Sequence, residues 1–330
     1  MDSNQPDSPR RTGKRWTFLL QIAVSAGLLI WLLSRVGLRE VLAQLAGMDP
    51  WLYALAVVVY LLSVGVRAYR WQIMLRPLSI DASLATLFRL YLLGFFWNSF
   101  LPTGFGGDVA KVIALQRRTG QGVDAMTSVI AERLVGLLGT SLIGLVVLLA
   151  WPRLVTFDIF LAVALICVAI IAGGWLIRLD VLDWLAARLP FTRRIVQHPK
   201  LVAFHGALRA YDLRTLGLGL LSSLPFTLTF IVANWLIGLA LHVDVPPHYF
   251  AVFTPVVSIV ELVPLSFNGL GVREVMYRLL FEPVGVTAGQ AVTMGLAFNL
   301  MKIGTGLLGG LVALLSGARG LLRSSEAPRP

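Results

Sequence analysis

Two stretches of this apolar chain place charged residues directly beside helix breakers. The first is FLPTGFGGDVAK, residues 100–111, and the second is GLGVREVM, residues 269–276. Glycine and proline interrupt a helix, and the next helix begins with unpaired backbone amides and the positive end of its dipole. Such a helix start suits an anionic group. Lys111 and Arg273, which follow the glycines, are the side chains that we expect to contact a phosphate.

Charged residues also occur within or beside the apolar segments. Glu132 and Arg133 lie in IAERLVGLLG, Glu261 falls late in another apolar segment, and Lys302 lies in FNLMKIGTG. A charge at the centre of a bilayer costs about 2.5 to 3.5 kcal/mol on insertion scales, so such side chains usually face a cavity or each other. We expect Glu132 to have a basic partner and Lys302 to pair with Glu261 or Glu274. Arg133 has the alternative of extending to the cytoplasmic interface.

These patterns predict one binding site, with no catalytic residue and no metal ligand assigned. Asn98 and Asn299 are polar residues at similar depth that can cap a broken helix or hydrogen-bond a headgroup. In the alternative interpretation both stretches are surface loops, and Asp108 and Glu274 are ordinary acidic residues at helix starts. The predicted substrate-binding residues are Asn98, Pro102, Gly104, Gly106, Gly107, Asp108, Lys111, Glu132, Arg133, Glu261, Pro264, Asn268, Gly269, Gly271, Arg273, Glu274 and Lys302.

The composition places these residues in a membrane. Of the 330 residues, 57% are hydrophobic and 14% are charged, which is more apolar than a soluble core of this length needs. We attribute the net charge of +11 to loops beside anionic lipid headgroups and expect no nucleic-acid partner. Cys167 is the single cysteine and the four histidines are scattered, so neither a disulfide nor a metal or other cofactor is expected.

The predicted fold class is an all-α polytopic membrane protein with about six full spans and two re-entrant helical hairpins. A span needs about 20 mostly apolar residues. Two further apolar segments, about 84–101 and 248–265, end at a proline and glycines, and we expect each to enter and leave on one side. The predicted full spans are roughly 16–33, 51–69, 130–151, 157–177, 215–241 and 287–316.

The positions of the basic residues indicate the orientation of these spans. If the N-terminus is cytoplasmic, twenty-two of the 28 Lys and Arg residues lie on the cytoplasmic side and five on the outer side. Both termini and the loop around His198 are then inside. Residues 1–15 and 321–330 are expected to be disordered tails, the first of them basic, that flank a single transmembrane domain at 16–320.

The two glycine stretches also indicate an internal repeat. Gly104 and Gly106 align with Gly269 and Gly271, and each half of the domain reads span, span, broken hairpin, span. The first hairpin is expected to enter from the cytoplasm and the second from outside, so the halves, about 16–151 and 157–316, have inverted topology. Inverted repeats with broken helices near the midplane are typical of transporters.

Glycines at helical spacing receive a structural interpretation. Gly136 and Gly139 lie in the third predicted span, and Gly306, Gly309 and Gly310 lie in the sixth. Small residues at this spacing let neighbouring helices approach closely in a membrane. We therefore expect these glycines to serve helix packing.

The ordered combination of motifs resembles the transmembrane, flippase-like domain of bacterial lysylphosphatidylglycerol synthases and their stand-alone relatives. The matching motifs are NSFLPTGFGGDVAK, AERLVGLLG and VPLSFNGLGVRE, and the resemblance covers about residues 15 to 320. It implies an integral protein of the bacterial inner membrane that moves lipids between leaflets. In the full synthases a separate soluble domain transfers lysine to phosphatidylglycerol. We expect no such domain here, so the synthase activity is not carried over.

The leading hypothesis is a flippase-like protein that translocates an anionic lipid between leaflets. Candidate lipids are an anionic or aminoacylated phospholipid, a glycolipid or a polyprenyl-phosphate carrier. No G-x-x-x-x-G-K-[ST] motif occurs, so ATP hydrolysis by this chain is not expected. Two alternatives stay open: a non-transporting membrane partner of a lipid-modifying enzyme, and an integral-membrane transferase acting on lipid-linked sugars. A homo-oligomer is retained as a further candidate assembly.

Overall fold

The chain folds into a bundle of helices around a polar interior. The computed structural model describes residues 12–99, 106–151, 157–178, 188, 199–261 and 266–315, which are helical apart from short connections. The helices are, in chain order, α1 (Thr12–Val36), α2 (Leu38–Ala46), α3 (Pro50–Leu75), α4 (Leu84–Asn98), α5 (Gly106–Thr119), α6 (Gly122–Ala150), α7 (Phe157–Arg178), α8 (Pro199–Arg209), α9 (Leu213–Ala240), α10 (Pro247–Val260), α11 (Val272–Phe281) and α12 (Ala288–Leu315).

Several sequence expectations fall outside the described residues. Three of the predicted binding residues, Pro102, Gly104 and Pro264, belong to this group. The same holds for the predicted tail at 321–330 and for the first eleven residues of the predicted N-terminal tail. Helix α1 begins at Thr12, slightly before the predicted start of the first span.

Four helices of the described part of the chain are long and apolar enough to cross a membrane. They are α3 with the 3₁₀ turn that follows it, α6, α9 and α12. These four coincide with the predicted spans at 51–69, 130–151, 215–241 and 287–316. Helix α3 runs further than its predicted span, because Arg67 and Arg70 near its end lie inside the bundle and do not mark a loop.

The first and fourth predicted spans correspond to less simple elements. Helices α1 and α2 together form one further candidate span, bent by 85°. Gly37 stands at the bend with φ 92°, a backbone conformation that glycine adopts without steric cost. The span predicted at 157–177 lies in α7, whose apolar stretch Phe160–Trp175 is shorter than the four long helices. The total of six spans therefore stays a prediction.

Helix α3 packs along α9, and α12 packs along α4. Gly139 lets α6 approach α9 closely, and Gly306, Gly309 and Gly310 let α12 approach α4 closely, as the sequence predicted, whereas Gly136 of α6 instead faces the Arg70 side chain. A Cβ atom on Gly309 would clash with the carbonyl of Leu92 in α4, one on Gly310 with the Phe96 ring, and one on Gly139 in α6 with Ser223 of α9. Large apolar side chains fill the rest of the core, among them the fully buried Trp71, Phe250, Phe253, Phe281 and Phe298.

Both predicted interruptions separate two shorter helices that contact each other. Helix α4 ends at Asn98 and α5 begins at Gly106, with Gly94 and Gly107 in close backbone contact. Helix α10 ends at Val260, and α11 begins at Val272 after a 3₁₀ turn. The positive φ angles of Gly269 and Gly271, 83° and 84°, allow this turn to reverse the chain. The interruptions seen in the sequence are thus confirmed as breaks between helices.

A candidate anion-binding cavity

The two broken helix pairs and the long helices enclose a polar cavity of about 270 Å³. Most of the predicted binding residues that are described line it: Asn98, Gly107, Asp108, Lys111, Arg133, Glu261, Asn268, Gly269, Arg273 and Lys302. Glu132 lies behind this lining and contacts Arg70, which is part of it, whereas Glu274 contacts Gly271 and Asn299, which lie outside the lining. The six basic side chains of the lining are Arg67, Arg70, Lys111, Arg133, Arg273 and Lys302, against two acidic ones, Asp108 and Glu261.

Glu132 of α6 has its basic partner in α3. Its Oε1 accepts hydrogen bonds from Nε of Arg70 at 2.9 Å and from a terminal nitrogen of Arg70 at 2.6 Å. The other terminal nitrogen donates to Oγ of Ser223 in α9 at 3.1 Å. The expectation of a basic partner is confirmed, and this buried cluster links three long helices beside the cavity.

Asp108 in the first turn of α5 contacts two basic side chains. Its Oδ1 lies 2.9 Å from Nζ of Lys111, and its Oδ2 accepts a hydrogen bond from Arg133 of α6. The Arg133 and Asp108 side chains are 32% and 22% exposed, whereas Lys111 is buried. Asp108 is therefore an acidic residue at a helix start and also a member of the cavity, so the two interpretations of this residue are compatible.

The second broken pair contains its own buried ion pair. Arg273 at the start of α11 donates from Nε to Oε1 of Glu261 at 2.7 Å and from a terminal nitrogen to Oε2. This two-point geometry is the strongest form of an arginine–carboxylate contact. The Arg273 guanidinium also lies 3.7 Å from the centre of the Phe298 ring. The pair joins the end of α10 to the start of α11 across the break.

Lys302 has a different partner from the two that the sequence suggested. Its Nζ donates to the carbonyl oxygen of Asn268 at 3.0 Å. Glu261 is occupied by Arg273, while Glu274 accepts from Asn299 at 2.7 Å and from the backbone of its own helix start. The expected pairing of Lys302 with a glutamate is corrected to a backbone contact, because both carboxylates already have nearer donors.

Side chains occupy one backbone amide at the start of each short helix. The N–H of Gly107 donates to Oδ1 of Asn98 at 2.6 Å, and the N–H of Gly271 donates to Oε2 of Glu274 at 2.6 Å. Asn98 thus caps a broken helix, one of the two roles expected for it. Because these two amides have acceptors within the chain, the basic side chains are the stronger candidates for holding an anion.

Arg67 and Arg70 are the charged residues of the cavity lining that sequence reasoning missed. They were assigned to the cytoplasmic end of a span, since Arg67 lies near the end of the predicted span 51–69 and Arg70 directly follows it. Their spacing indicates that both side chains lie on one face of α3, because residues three apart are neighbours on a helix surface. The Arg67 guanidinium contacts aromatic rings from two helices, at 5.0 Å from Tyr91 and 5.6 Å from Phe226.

Comparison with known proteins places this helical arrangement in a family. Residues 18–310 match the family described as lysylphosphatidylglycerol synthase TM region. A relative is the UPF0104 membrane protein PH1989 of Pyrococcus horikoshii, which is 27% identical over 118 residues. That match spans 35% of this chain and 35% of the relative. With several helices able to cross a membrane, the chain is a multi-pass membrane protein that belongs to the family of lysylphosphatidylglycerol synthase transmembrane regions.

Proposed function

We propose that this protein moves an anionic lipid between the two leaflets of the bacterial inner membrane. The observation that carries the proposal is the cavity, in which six basic side chains are set against three carboxylates, Asp108 and Glu261 of the lining and Glu132 directly behind it, inside a bundle of apolar helices. Such a surplus of positive charge is costly unless an anion enters. The volume of about 270 Å³ suits a headgroup, while the acyl or prenyl tails stay in the bilayer.

The outer surface of the bundle supports a path in which the tails remain in lipid. Helix α9 exposes Leu221, Leu224 and Leu228, and α12 exposes Leu311 and Leu314. Exposed leucines along long helices are the expected surface of a protein in hydrocarbon. Polar chemistry is thus concentrated inside the bundle and apolar side chains outside it, as headgroup transfer requires.

Helix packing supports an inverted repeat with two re-entrant pairs. The helices preceding the breaks pack across the halves, α4 of the first against α12 of the second, and α10 of the second against α6 of the first. Helices α3 and α9, which occupy the same place in each half, pack against one another. Such packing between corresponding helices is expected of two repeats related by a pseudo-two-fold axis. In transporters the substrate site lies at the interface between the repeats.

Differences in exposure between the two ion pairs favour a cavity that is more open on one side. Arg133 and Asp108 are 32% and 22% exposed, whereas Arg273 and Glu261 are 3% and 16% exposed. In the proposed topology, with six spans and both termini inside, the first pair lies toward the cytoplasm. Alternating access then consists of closing this side and opening the side of Arg273.

The topology is tested by a reporter fusion in the loop at His198. A reporter that is active only in the cytoplasm is expected to give signal there, and one that is active only in the periplasm is expected to stay silent. A periplasmic signal at this position would contradict the proposed inverted arrangement of the halves. It would leave open whether lipid passes through the cavity.

The function is tested by leaflet exchange in liposomes that contain the purified protein. Fluorescent phosphatidylglycerol and phosphatidylcholine are compared, with protein-free vesicles as background. We expect faster exchange of the anionic lipid. Arg273→Gln is expected to abolish the exchange of the anionic lipid. The double variant Arg273→Gln/Glu261→Gln is expected to be more stable than this single variant but still not to exchange lipid, because the cation stays absent. Arg278→Gln, which removes a cation of α11 outside the cavity lining, is the matched control.

No exchange of any anionic lipid by the folded protein, with or without an imposed gradient, would contradict the proposal. Such a result would favour a non-transporting membrane partner of a lipid-modifying enzyme. Turnover of a lipid-linked substrate by the purified chain alone would instead favour a transferase.

A further inference from the structure

The basic residues of the cavity differ in whether a carboxylate neutralises them. Arg70 pairs with Glu132, and Arg273 pairs with Glu261. Lys111 and Arg133 share Asp108. Within the described ranges, Arg67 and Lys302 line the same cavity without a carboxylate oxygen in ion-pair distance.

Arg67 in α3 is held by rings and by no acceptor of the described residues. Its guanidinium carbon lies 5.0 Å from the centre of Tyr91, 5.6 Å from that of Phe226 and 5.9 Å from that of Phe95. Its Nε is buried and has no hydrogen-bond partner among the residues that the structure describes. The aromatic faces attract the cation and orient its plane, but they do not accept its strong hydrogen bonds. A buried donor without an acceptor is destabilising, so the arrangement calls for an anion.

Lys302 approaches the cavity from the opposite half of the chain. It projects from α12, and its Nζ uses a hydrogen bond to the carbonyl oxygen of Asn268 at 3.0 Å. An ammonium group carries three donors, so this contact leaves further donors for a ligand. Arg67 belongs to a helix of the first half and Lys302 to a helix of the second. A single anion held by both would therefore bridge the halves that are expected to move.

We propose that Arg67 and Lys302 together bind one doubly charged phosphate monoester. Two cations without a carboxylate match such a group, which carries roughly −1.5 to −2 charge at neutral pH. The planar fork of Arg67 suits two phosphate oxygens, and the ammonium of Lys302 suits a third. A phosphodiester, with one charge, leaves one of these cations uncompensated. The inference rests on the proposed function for its lipid source, since a soluble phosphate ester offers the same chemistry.

The test measures ligand binding rather than transport. The full chain in detergent micelles is titrated with phosphatidic acid, phosphatidylglycerol and phosphatidylcholine, and the shift of the unfolding midpoint is converted to a dissociation constant. We expect phosphatidic acid to bind about ten-fold more tightly than phosphatidylglycerol, which corresponds to one charge-assisted contact. Equal affinities for the two lipids would overturn the assignment of a doubly charged group.

Variants identify the residues that hold the phosphate. Arg67→Gln and Lys302→Gln are each expected to weaken phosphatidic acid binding by about ten-fold or more, while Arg278→Gln binds as the wild type does. Arg67→Lys keeps the charge and removes the fork, so it is expected to bind with intermediate affinity. If Arg67→Gln does not fold, Arg67→Lys is used to test the site. Wild-type affinity in both folded Arg67 variants would overturn the proposed site.

Two soluble probes, inorganic phosphate and glycerol 3-phosphate, separate the sources of the phosphate. Stabilisation by phosphatidic acid well beyond both supports a lipid headgroup. Equal stabilisation by the soluble probes, lost in Arg67→Gln, keeps the phosphate site but contradicts a lipid ligand. The outcome is distinguishable from failure of the proposed function. If phosphatidic acid binds through Arg67 but no lipid exchanges between the leaflets, only the proposed transport is contradicted. If Arg67→Gln leaves leaflet exchange unchanged, only the proposed phosphate site is contradicted.

Discussion

The carboxylate of Glu132 and the guanidinium of Arg70 form an ion pair in which both side chains are almost completely buried, 2% and 3% exposed. Two nitrogens of Arg70 donate to the same oxygen of Glu132, and the third reaches Ser223. Because the three residues belong to α6, α3 and α9, the pair determines how these helices meet beside the cavity. It also removes Arg70 from the cations that are free to hold a ligand.

Removing Glu132 should destabilise the protein strongly. Glu132→Ala leaves the Arg70 charge buried without its partner, and the expected loss in the free energy of unfolding is about 3–5 kcal/mol. Chemical unfolding in detergent micelles measures it. The double variant Glu132→Leu/Arg70→Met replaces both charges by apolar groups and should be close to the wild type in stability. A single variant that is as stable as the double variant would show that the pair does not form.

Gly136 leaves the space that the Arg70 guanidinium occupies. A Cβ atom on Gly136 would collide with two of the guanidinium nitrogens and the carbon between them. Gly136→Ala should therefore cost about 1–3 kcal/mol of stability through overpacking, and it should reduce lipid exchange because Arg70 is displaced. The matched control is Gly217→Ala in α9, where a Cβ meets no atom within 4 Å. That control should keep or slightly raise the unfolding midpoint, since alanine favours a helix.

Asn98 should contribute to the start of α5 through its side-chain oxygen. Asn98→Ala leaves the Gly107 amide without its acceptor, which should lower the free energy of unfolding by about 1–3 kcal/mol. Asn98→Asp keeps an acceptor at the same place and should retain most of the stability. Equal losses in the two variants, measured by thermal unfolding, would argue against a capping role.

Asp212, which precedes α9, should give the stability a dependence on acidic pH. Hydrogen bonds from the Thr215 side chain and backbone N–H hold the pKa of the Asp212 carboxyl below its ordinary value. A lowered pKa in the folded state means that the contribution is present above the ordinary pKa, about 3.9, and is lost as pH falls through the lowered value. Asp212→Ala should be less stable than the wild type at neutral pH.

This difference between Asp212→Ala and the wild type should begin to shrink as the pH falls below about 4, where the carboxyl of the unfolded chain is protonated, and it should be smallest once the pH lies below the lowered pKa of the folded protein. Unfolding midpoints measured from neutral to acidic pH test it. A difference that stays constant over the whole range would mean that the carboxylate charge does not support the helix start.

Much of the architecture follows from local features of the sequence. Apolar runs of span length predict helices that can cross a membrane, and Pro and Gly predict their breaks, because both act on the backbone where they stand. The long helices and the breaks before Gly106 and Val272 confirm these expectations. The number of complete crossings was not settled in this way, since Gly37 bends one candidate span by 85° and α7 has a short apolar stretch.

The sequence by itself determined the helical membrane fold, its two interruptions and the family, because these depend on the order of residues along the chain. Only the tertiary structure decided the charge pairs, because a carboxylate is taken by the nearest donor in space. Glu132 selected Arg70, which is 62 residues away in the chain, and Arg273 occupied the Glu261 that was expected to meet Lys302. The same packing left Arg67 among aromatic rings, and no linear spacing distinguishes that surplus cation from the paired Arg70 three residues later.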